Sequence, residues 1–386
     1  MEWVRIGDIG KIITGNTPSK KNPEFYKTKD IPFIGPSDIK NFREVNHLYE
    51  SEKFISHIAR SKARIVPKNS ILVTCIGNIG KVGKVEIKEI AFNQQINAII
   101  VEEQDYDVDY LLYALIFNQK RLESISNAPV VPIINKTAFA DFKIKIDKSI
   151  KNQKYISKCL NFISKLIILK KEQIQAYDDL IESLFYEMFN CLEIKELPLK
   201  RFIAFSKNSV SDFSEYLDEN YIGVENIEKE TGRILKVEKV SDSNIKSSKN
   251  YFTNDDILYS RIRPNLNKVA IPDFNGLVSS EVFVINCNDK INKYFLAYTL
   301  RSNRFVSYAI LNSSGANFPR VNKKIIEGYK IKVPPIELQN KFADYVIKIE
   351  EEKKKLNSSL KELENLFDAF MQEAFSGNLF KDWEGR

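Results

Sequence analysis

Between residues 154 and 190 the chain has no glycine and no proline, and its apolar residues recur at alternating steps of four and three. Ile156, Leu160, Ile163, Ile167, Ile174, Tyr177, Ile181, Leu184 and Met188 carry this stripe, which is broken once at Lys170. Such a period puts its members on one helix face, as in a coiled-coil seam. A second stripe follows Pro334-Pro335, residues suited to a first helical turn. It runs through Phe342, Val346, Ile349, Leu356, Leu360, Leu363, Phe367 and Phe370, broken once at Lys353. Each stripe predicts a helix of about 33 residues or more, about 50 Å long. The alternative, a stripe packed only on its own globular module, would need a domain wider than a small one is. The segments before the stripes read differently. Ile31-Pro32-Phe33-Ile34, Ile71-Leu72-Val73-Thr74 and Ile96-Asn97-Ala98-Ile99-Ile100 read as strands between Gly, Asn and Pro turns. A helix is predicted over Asp109–Glu123, where Leu111, Leu112, Leu115 and Ile116 share a face.

The alternation of strand-rich and stripe-bearing segments is a duplication. Asn135-Lys136, Lys143-Ile144-Lys145-Ile146 and Gln153 return as Asn322-Lys323, Lys330-Ile331-Lys332-Val333 and Gln339. Upstream, Ser70–Gly77 aligns with Asp256–Arg263, Asn93-Gln94-Gln95-Ile96 with Ser279-Ser280-Glu281-Val282, and Tyr110–Leu115 with Tyr294–Leu300. The offset, 322 less 135 or 339 less 153, is 187 and then 186 residues. That is far longer than a solenoid repeat of about 20–50 residues. It marks two tandem copies of one module, each followed by a long helix. Two related helices in one chain pack most simply antiparallel, which gives the duplicated chain a pseudo-two-fold relation. The apolar frame is kept while the polar residues drift. One scaffold reading two targets would look like this, and so would neutral drift of a surface.

Composition narrows the class. With 43% hydrophobic and 28% charged residues, the 386-residue chain is an ordinary globular one. No run of about 18 apolar residues predicts a membrane span. Met1-Glu2-Trp3-Val4-Arg5 lacks a signal peptide's apolar core. Cys75, Cys159, Cys191 and Cys287 form no Cys-x-x-Cys pair, and His47 and His57 complete no zinc spacing, so no metal site is expected. Free thiols imply a reducing, cytoplasmic setting and no membrane partner. A net charge of +7 permits nucleic-acid binding without requiring it.

Candidate contacts lie in polar loops between the apolar runs. Thr14–Lys21 offers Asn16, Thr17, Ser19, Lys20 and Lys21, donors suited to phosphates and base edges, with a solvated turn as the alternative. Gly77–Lys84 carries Asn78, Lys81 and Lys84 among three glycines, which let backbone N–H groups approach a phosphate. Its spacing is neither a P-loop nor a Rossmann fingerprint, and a hairpin with a basic tip is the reading. The matching second-module loop has Arg261, Arg263, Asn265 and Lys268; arginine can pair in bidentate fashion with guanine or phosphate. A third loop, Ser313–Lys323, holds Arg320, Asn322 and Lys323, against the more apolar Pro129–Lys136, which ends in Lys136.

No catalytic motif accompanies these loops. Val333-Pro334-Pro335-Ile336 lacks the leading polar residue and the aromatic of a methyltransferase motif. Glu86-Ile87-Lys88 and Glu193-Ile194-Lys195 match a nuclease tail without a suitable upstream Pro-Asp, and Pro272-Asp273 is followed by Glu281-Val282-Phe283 without the lysine. Two histidines support no nucleophile–base arrangement.

Thr14-Gly15-Asn16-Thr17-Pro18, Gly77-Asn78-Ile79-Gly80-Lys81, Asn93-Gln94 and the Pro334-to-Gln339 helix start, set in helix-spaced tandem modules, resemble the specificity subunit of Type I restriction–modification enzymes over essentially the whole chain. The resemblance implies an α+β chain: a target-recognition domain at 1–150, a spacer helix at 151–191, a second recognition domain at 192–333 and a second helix at 334–377, the helices forming an antiparallel coiled coil. It implies that each domain reads one half of a split double-stranded DNA site, with Asn93 and Gln94 added to the contact set. The helices would fix the spacer and, with the domains, hold two methyltransferase subunits, with restriction subunits joining outside. S-adenosylmethionine, ATP and Mg would belong to those partners; the chain itself would be a non-catalytic subunit that binds no cofactor. The second module departs from the pattern, lacking the Thr-Gly-x-Thr-Pro loop and carrying Ser279-Ser280 for Asn-Gln, and Asp147–Gln153 replaces a double proline before the first helix. The competing expectation is a coiled-coil adaptor that binds only protein.

Overall fold

A computed structural model describes residues 1–41, 44–126, 131–190, 192–315 and 318–380. Pro129-Val130 and Cys191, which the sequence reading placed in a loop and at a helix end, lie outside them. The chain divides into two compact units, Met1–Lys170 with Ser359–Arg386, and Lys171–Ser358.

In the first unit a five-stranded sheet runs in the order Gly10–Thr14, Ile96–Val101, Ile71–Thr74, Val82–Val85, Asn46–Leu48. A four-stranded sheet runs Phe54–Ile55, Ile31–Ile34, Glu89–Phe92, Ile65–Pro67. The short apolar runs form these strands because β-branched residues pack on both sheet faces: all four residues of Ile71–Thr74 are buried. The second unit rebuilds both sheets. Ile203–Phe205, Val282–Cys287, Ile257–Ser260 and Val269–Ala270 repeat the first four strands of the larger sheet, and the register is kept: Leu72 faces Ala98, and Leu258 faces Val284. The smaller sheet returns with its one parallel pairing, Ile31–Ile34 beside Glu89–Phe92 becoming Asn220–Ile222 beside Gly276–Val278.

The helix expected over Asp109–Glu123 is two helices, Val108–Phe117 and Gln119–Ser124. Asn118 divides them. Its side-chain amide donates to the Ala114 carbonyl at 2.8 Å, closing the first helix where a straight continuation would have carried on.

The two heptad stripes form helices Ile150–Phe189 and Ile336–Ser376. In the first unit Ile156, Leu160, Ile163 and Ile167 share a core with Leu360, Leu363, Phe367 and Phe370. In the second unit Ile181 and Leu184 share a core with Phe342, Val346 and Ile349. Asp178 there meets Lys353, while Phe189 meets Phe342 with ring centroids 5.4 Å apart, so the helices run in opposite directions. Ile174 is buried, and Tyr177 and Leu356 are half-buried. The break in the second stripe, Lys353, is 2% exposed, with Nζ 2.6 Å from Asp178 and 2.7 Å from Glu350. A lysine this deep needs such carboxylates to offset its desolvation.

Each long helix is fastened to its module by one glutamine with no exposed surface. Gln153 Oε1 accepts from the Asp107 amide at 2.8 Å, and its Nε2 donates to the Asp147 carbonyl at 2.7 Å. Gln339 Oε1 accepts from the Asn292 amide at 2.9 Å, and its Nε2 donates to the carbonyls of Pro334 at 2.7 Å and Lys290 at 3.2 Å. Leucine at either position would leave buried backbone groups unpaired. Gln153→Leu and Gln339→Leu should each cost about 1–3 kcal/mol in urea unfolding; losses of only a few tenths would show that water replaces the amide.

Candidate nucleic-acid interface

Three loops meet in the first unit through backbone hydrogen bonds. Cys75 N donates to Gln95 O at 2.8 Å, Gly77 N to Pro132 O at 2.9 Å, and Ile134 N to Cys75 O at 2.8 Å. The second unit makes the same three bonds: Arg261 N to Glu281 O at 3.0 Å, Arg263 N to Pro319 O at 2.8 Å, and Val321 N to Arg261 O at 2.8 Å. Gly77 has φ of 76° and its counterpart Arg263 has φ of 50°, so the turn keeps its left-handed residue after losing the glycine. The third loop ends alike in both units, Asn135 capping Lys136–Asp141 and Asn322 capping Lys323–Gly328.

The first unit adds the Thr14–Lys21 segment. Asn16 is committed to structure: its Nδ2 donates to Lys62 O at 2.7 Å and its Oδ1 accepts from Arg64 N at 2.6 Å. Thr17 donates its hydroxyl to Gln94 Oε1 at 2.8 Å. Thr17, Lys20, Asn93 and Gln94 line one cavity of about 570 Å³ with Tyr26, Phe33, Lys53 and Phe54. Four of the sequence-predicted residues are thus brought together, beside rings and a lysine that sequence reasoning passed over. Phe54 opens the edge strand Phe54–Ile55 and Lys53 immediately precedes it, with no motif to mark either. Ser19 accepts from the Lys21 amide at 3.4 Å, and the Lys20 and Lys21 side chains are exposed. Asn78 is exposed at the hairpin, and its carbonyl accepts from Thr74 Oγ1 at 2.5 Å; the Lys81 amide donates to that same hydroxyl at 3.0 Å.

Lys84 is not on the hairpin tip, where the sequence reading put it. Strand alternation turns it inward, 14% exposed, with Nζ 2.7 Å from Asp109 and 3.5 Å from Glu86. Burial pulls its pKa down, but Asp109 and Glu86 outweigh this and hold it above the ordinary lysine value.

In the second unit the arginines are held by one carboxylate. Arg261 Nε lies 2.9 Å from Glu281, and Arg320 Nη2 lies 3.4 Å from it. The Arg261 hydrogen bond is the chief reason that the Glu281 carboxyl sits below its usual range. Glu281 stands where the first unit has Gln95, a position the aligned sequences already paired and to which sequence reasoning assigned no role. Arg263 stacks over Phe318 at 4.9 Å, and Lys323 Nζ sits 5.1 Å from the Phe205 ring. Lys268 donates to the Val224 carbonyl at 2.8 Å, and desolvation lowers its pKa. Asn265 is exposed. Both units can thus present hydrogen-bond donors beside an apolar or aromatic surface. Among the described residues no group of His, Cys, Asp and Glu could hold a metal ion, and no helix is long and apolar enough to cross a membrane.

A family model described as Type I restriction modification DNA specificity domain matches residues 1–176 and again 187–365. The Type I restriction enzyme EcoDI specificity subunit of Escherichia coli is 28% identical over a stretch covering 44% of this chain and 38% of that subunit. The Type I restriction enzyme MjaIX specificity subunit of Methanocaldococcus jannaschii is 24% identical over 97% of this chain and 92% of that subunit. A Type-I restriction-modification system S subunit from M. genitalium, solved by crystallography, matches with a TM-score of 0.61 and 15% identity over 97% of this chain and 96% of that chain; at this identity the likeness is one of fold.

Gly15 sets the entry of the Thr14–Lys21 segment. A Cβ there would lie 2.1 Å from the Asn93 carbonyl oxygen and 2.5 Å from that of Phe92. Gly15→Ala should therefore push the segment off the strand end, break the Thr17–Gln94 contact and cost about 1–3 kcal/mol on urea unfolding. Unchanged stability, with unchanged protection of the Asn16 amide in hydrogen exchange, would show that the segment gives way freely.

Proposed function

This chain belongs to the Type I restriction modification DNA specificity domain family, and from that premise we propose that it reads a two-part DNA site, one half with each module. The observation that carries the reading is the loop site built twice. The backbone bonds among the three loops are the same in both units, and the side chains that they present are not: Gln95 against Glu281, and Gly77 against Arg263. A constant frame with variable polar residues is what two different base sequences require of one scaffold, since base edges are told apart by their donors and acceptors.

In this reading the antiparallel helices set the spacer between the half-sites, and the chain contributes positioning while partners contribute chemistry. Two methyltransferase subunits would dock on it, with restriction subunits outside them. S-adenosylmethionine, ATP and Mg would be bound by those partners in the cytoplasm, and this chain would catalyse nothing. A purely protein-binding adaptor has no observation in its favour.

The test is an exchange of residues 1–150 for the first module of another family member, in cells that also express the methyltransferase partner. Methylome sequencing should show one half-site changed and the other kept. A change in both halves, or in neither, would sink the assignment of one module to one half-site.

A further inference from the structure

We propose that the first module grips the phosphate backbone of duplex DNA in a basic cleft that the second module lacks. The inference rests on the reading of this chain as a DNA-binding subunit. The cleft has a volume of about 900 Å³ and an apolar floor that includes Ile12 and Ile65. Lys11, Arg64, Lys88 and Lys136 line it, all four exposed. Its one lining carboxylate among the described residues, Glu89, is already paired with Arg60. The four cations are therefore not neutralised within the cleft. Only Lys136 was read as a nucleic-acid contact in the sequence; the four come from four separate stretches of chain.

The cleft adjoins the candidate reading loop. Asn16 grips its wall, accepting from the Arg64 amide at 2.6 Å and donating to the Lys62 carbonyl at 2.7 Å. Thr14 lines the cleft, and Thr17 lines the neighbouring cavity with Gln94. A duplex whose bases meet that loop would lay its phosphates along the adjoining cations, which is the usual division between contacts that specify and contacts that position.

The second module keeps the sheet register and loses the charge. Lys11 faces Ile100, and the matching pair is Ala204 with Asn286. Arg64 precedes Ile65, which faces Ala91; the matching pair is Tyr251 with Leu277, preceded by Asn250. The neighbouring Lys249 supplies no replacement charge: it is 6% exposed, with Nζ bonded to the Ser247 carbonyl and hydroxyl at 2.7 and 2.8 Å. Lys88 lies three residues before Ala91, and Phe274 lies three residues before the matching Leu277. Lys136 matches Lys323, which lies over the Phe205 and Phe283 rings at 5.1 and 5.9 Å. Four cleft cations thus become an alanine, an asparagine, a phenylalanine and a lysine held on aromatic rings.

The experiment is a salt titration of the full chain on a mixed-sequence DNA duplex. The triple variant Lys11→Ala, Arg64→Ala, Lys88→Ala is compared with a second-module control, Lys207→Ala, Lys229→Ala, Lys246→Ala. Each neutralised phosphate contributes about 0.9 to the log–log slope, so the cleft variant should lose about two to three units of slope and bind roughly tenfold or more weakly. The control should keep the wild-type slope, and all three proteins should unfold at the same temperature. A cleft variant with the wild-type slope, or a control with an equal loss, overturns the proposal while leaving DNA binding intact. Wild-type chain with no salt-dependent binding overturns the underlying reading as well. If the cleft variant keeps its DNA slope and instead loses retention on poly-glutamate, the cleft belongs to an acidic protein segment.

Discussion

One buried amide in each half decides where a module stands on its helix. Gln153 and Gln339 each tie the amide before a short module helix to the carbonyl that leads into a long one. A glutamine with no exposed surface cannot turn to water for its partners, so its geometry is enforced by the cost of leaving a buried group unmade. The long helix that follows inherits that geometry, both its direction and which of its faces meets the other helix within the unit. The two long helices begin differently, one with Asp147 and Ser149 capping and one with Pro334-Pro335, yet both arrive at the same clasp. The clasp survived where the cap chemistry did not.

The loop sites follow the same economy one level up. Backbone groups hold the three loops together in both units, so side chains were free to change without unfolding the site. In the first unit Gln95 is occupied with Asn93, at 3.0 and 3.1 Å, and the surface donors are lysines and amides. In the second, Glu281 organises Arg261 and Arg320. A guanidinium already held in a fork by a carboxylate loses less freedom when it meets a base or phosphate than a free lysine does. The second site is therefore built for orientation, and the first carries more unspent charge.

How far the sequence told this in advance depended on periodicity. The seam was legible because each apolar stripe is longer than a small domain is wide, and the presence of two modules was legible because the duplication repeats in register. Lys353 appeared only as a gap in a stripe; that it is buried against Asp178 depends on the facing helix. Lys84 looked like a loop-tip lysine because loop and strand cannot be told apart residue by residue in a glycine-rich hairpin. The strand Glu2–Arg5, paired with Lys143–Ile146, is a contact across more than a hundred residues that no local pattern encodes. Of the candidate contacts, Thr17, Lys20, Asn93 and Gln94 were found by motif and converge in one cavity, whereas Arg64 and Lys53 carry no local signal at all.

The buried lysine of the seam joins these arguments. An apolar residue at position 353 would continue the stripe and spare the desolvation of a charge, so its retention needs a reason other than stability. Glu350 on the same helix supplies one carboxylate at 2.7 Å, and Asp178 on the facing helix supplies the second at 2.6 Å. A slide of the helices by one heptad would part Lys353 from Asp178 and leave it only the Glu350 carboxylate of its own helix, whereas the leucines and isoleucines elsewhere in the seam would not object to such a slide. Polar pairs of this kind set register in helical assemblies while apolar positions set affinity. A helix pair whose length is to mean something must also have a single alignment, and in the second unit the Lys353–Asp178 pair is the group of atoms able to choose it.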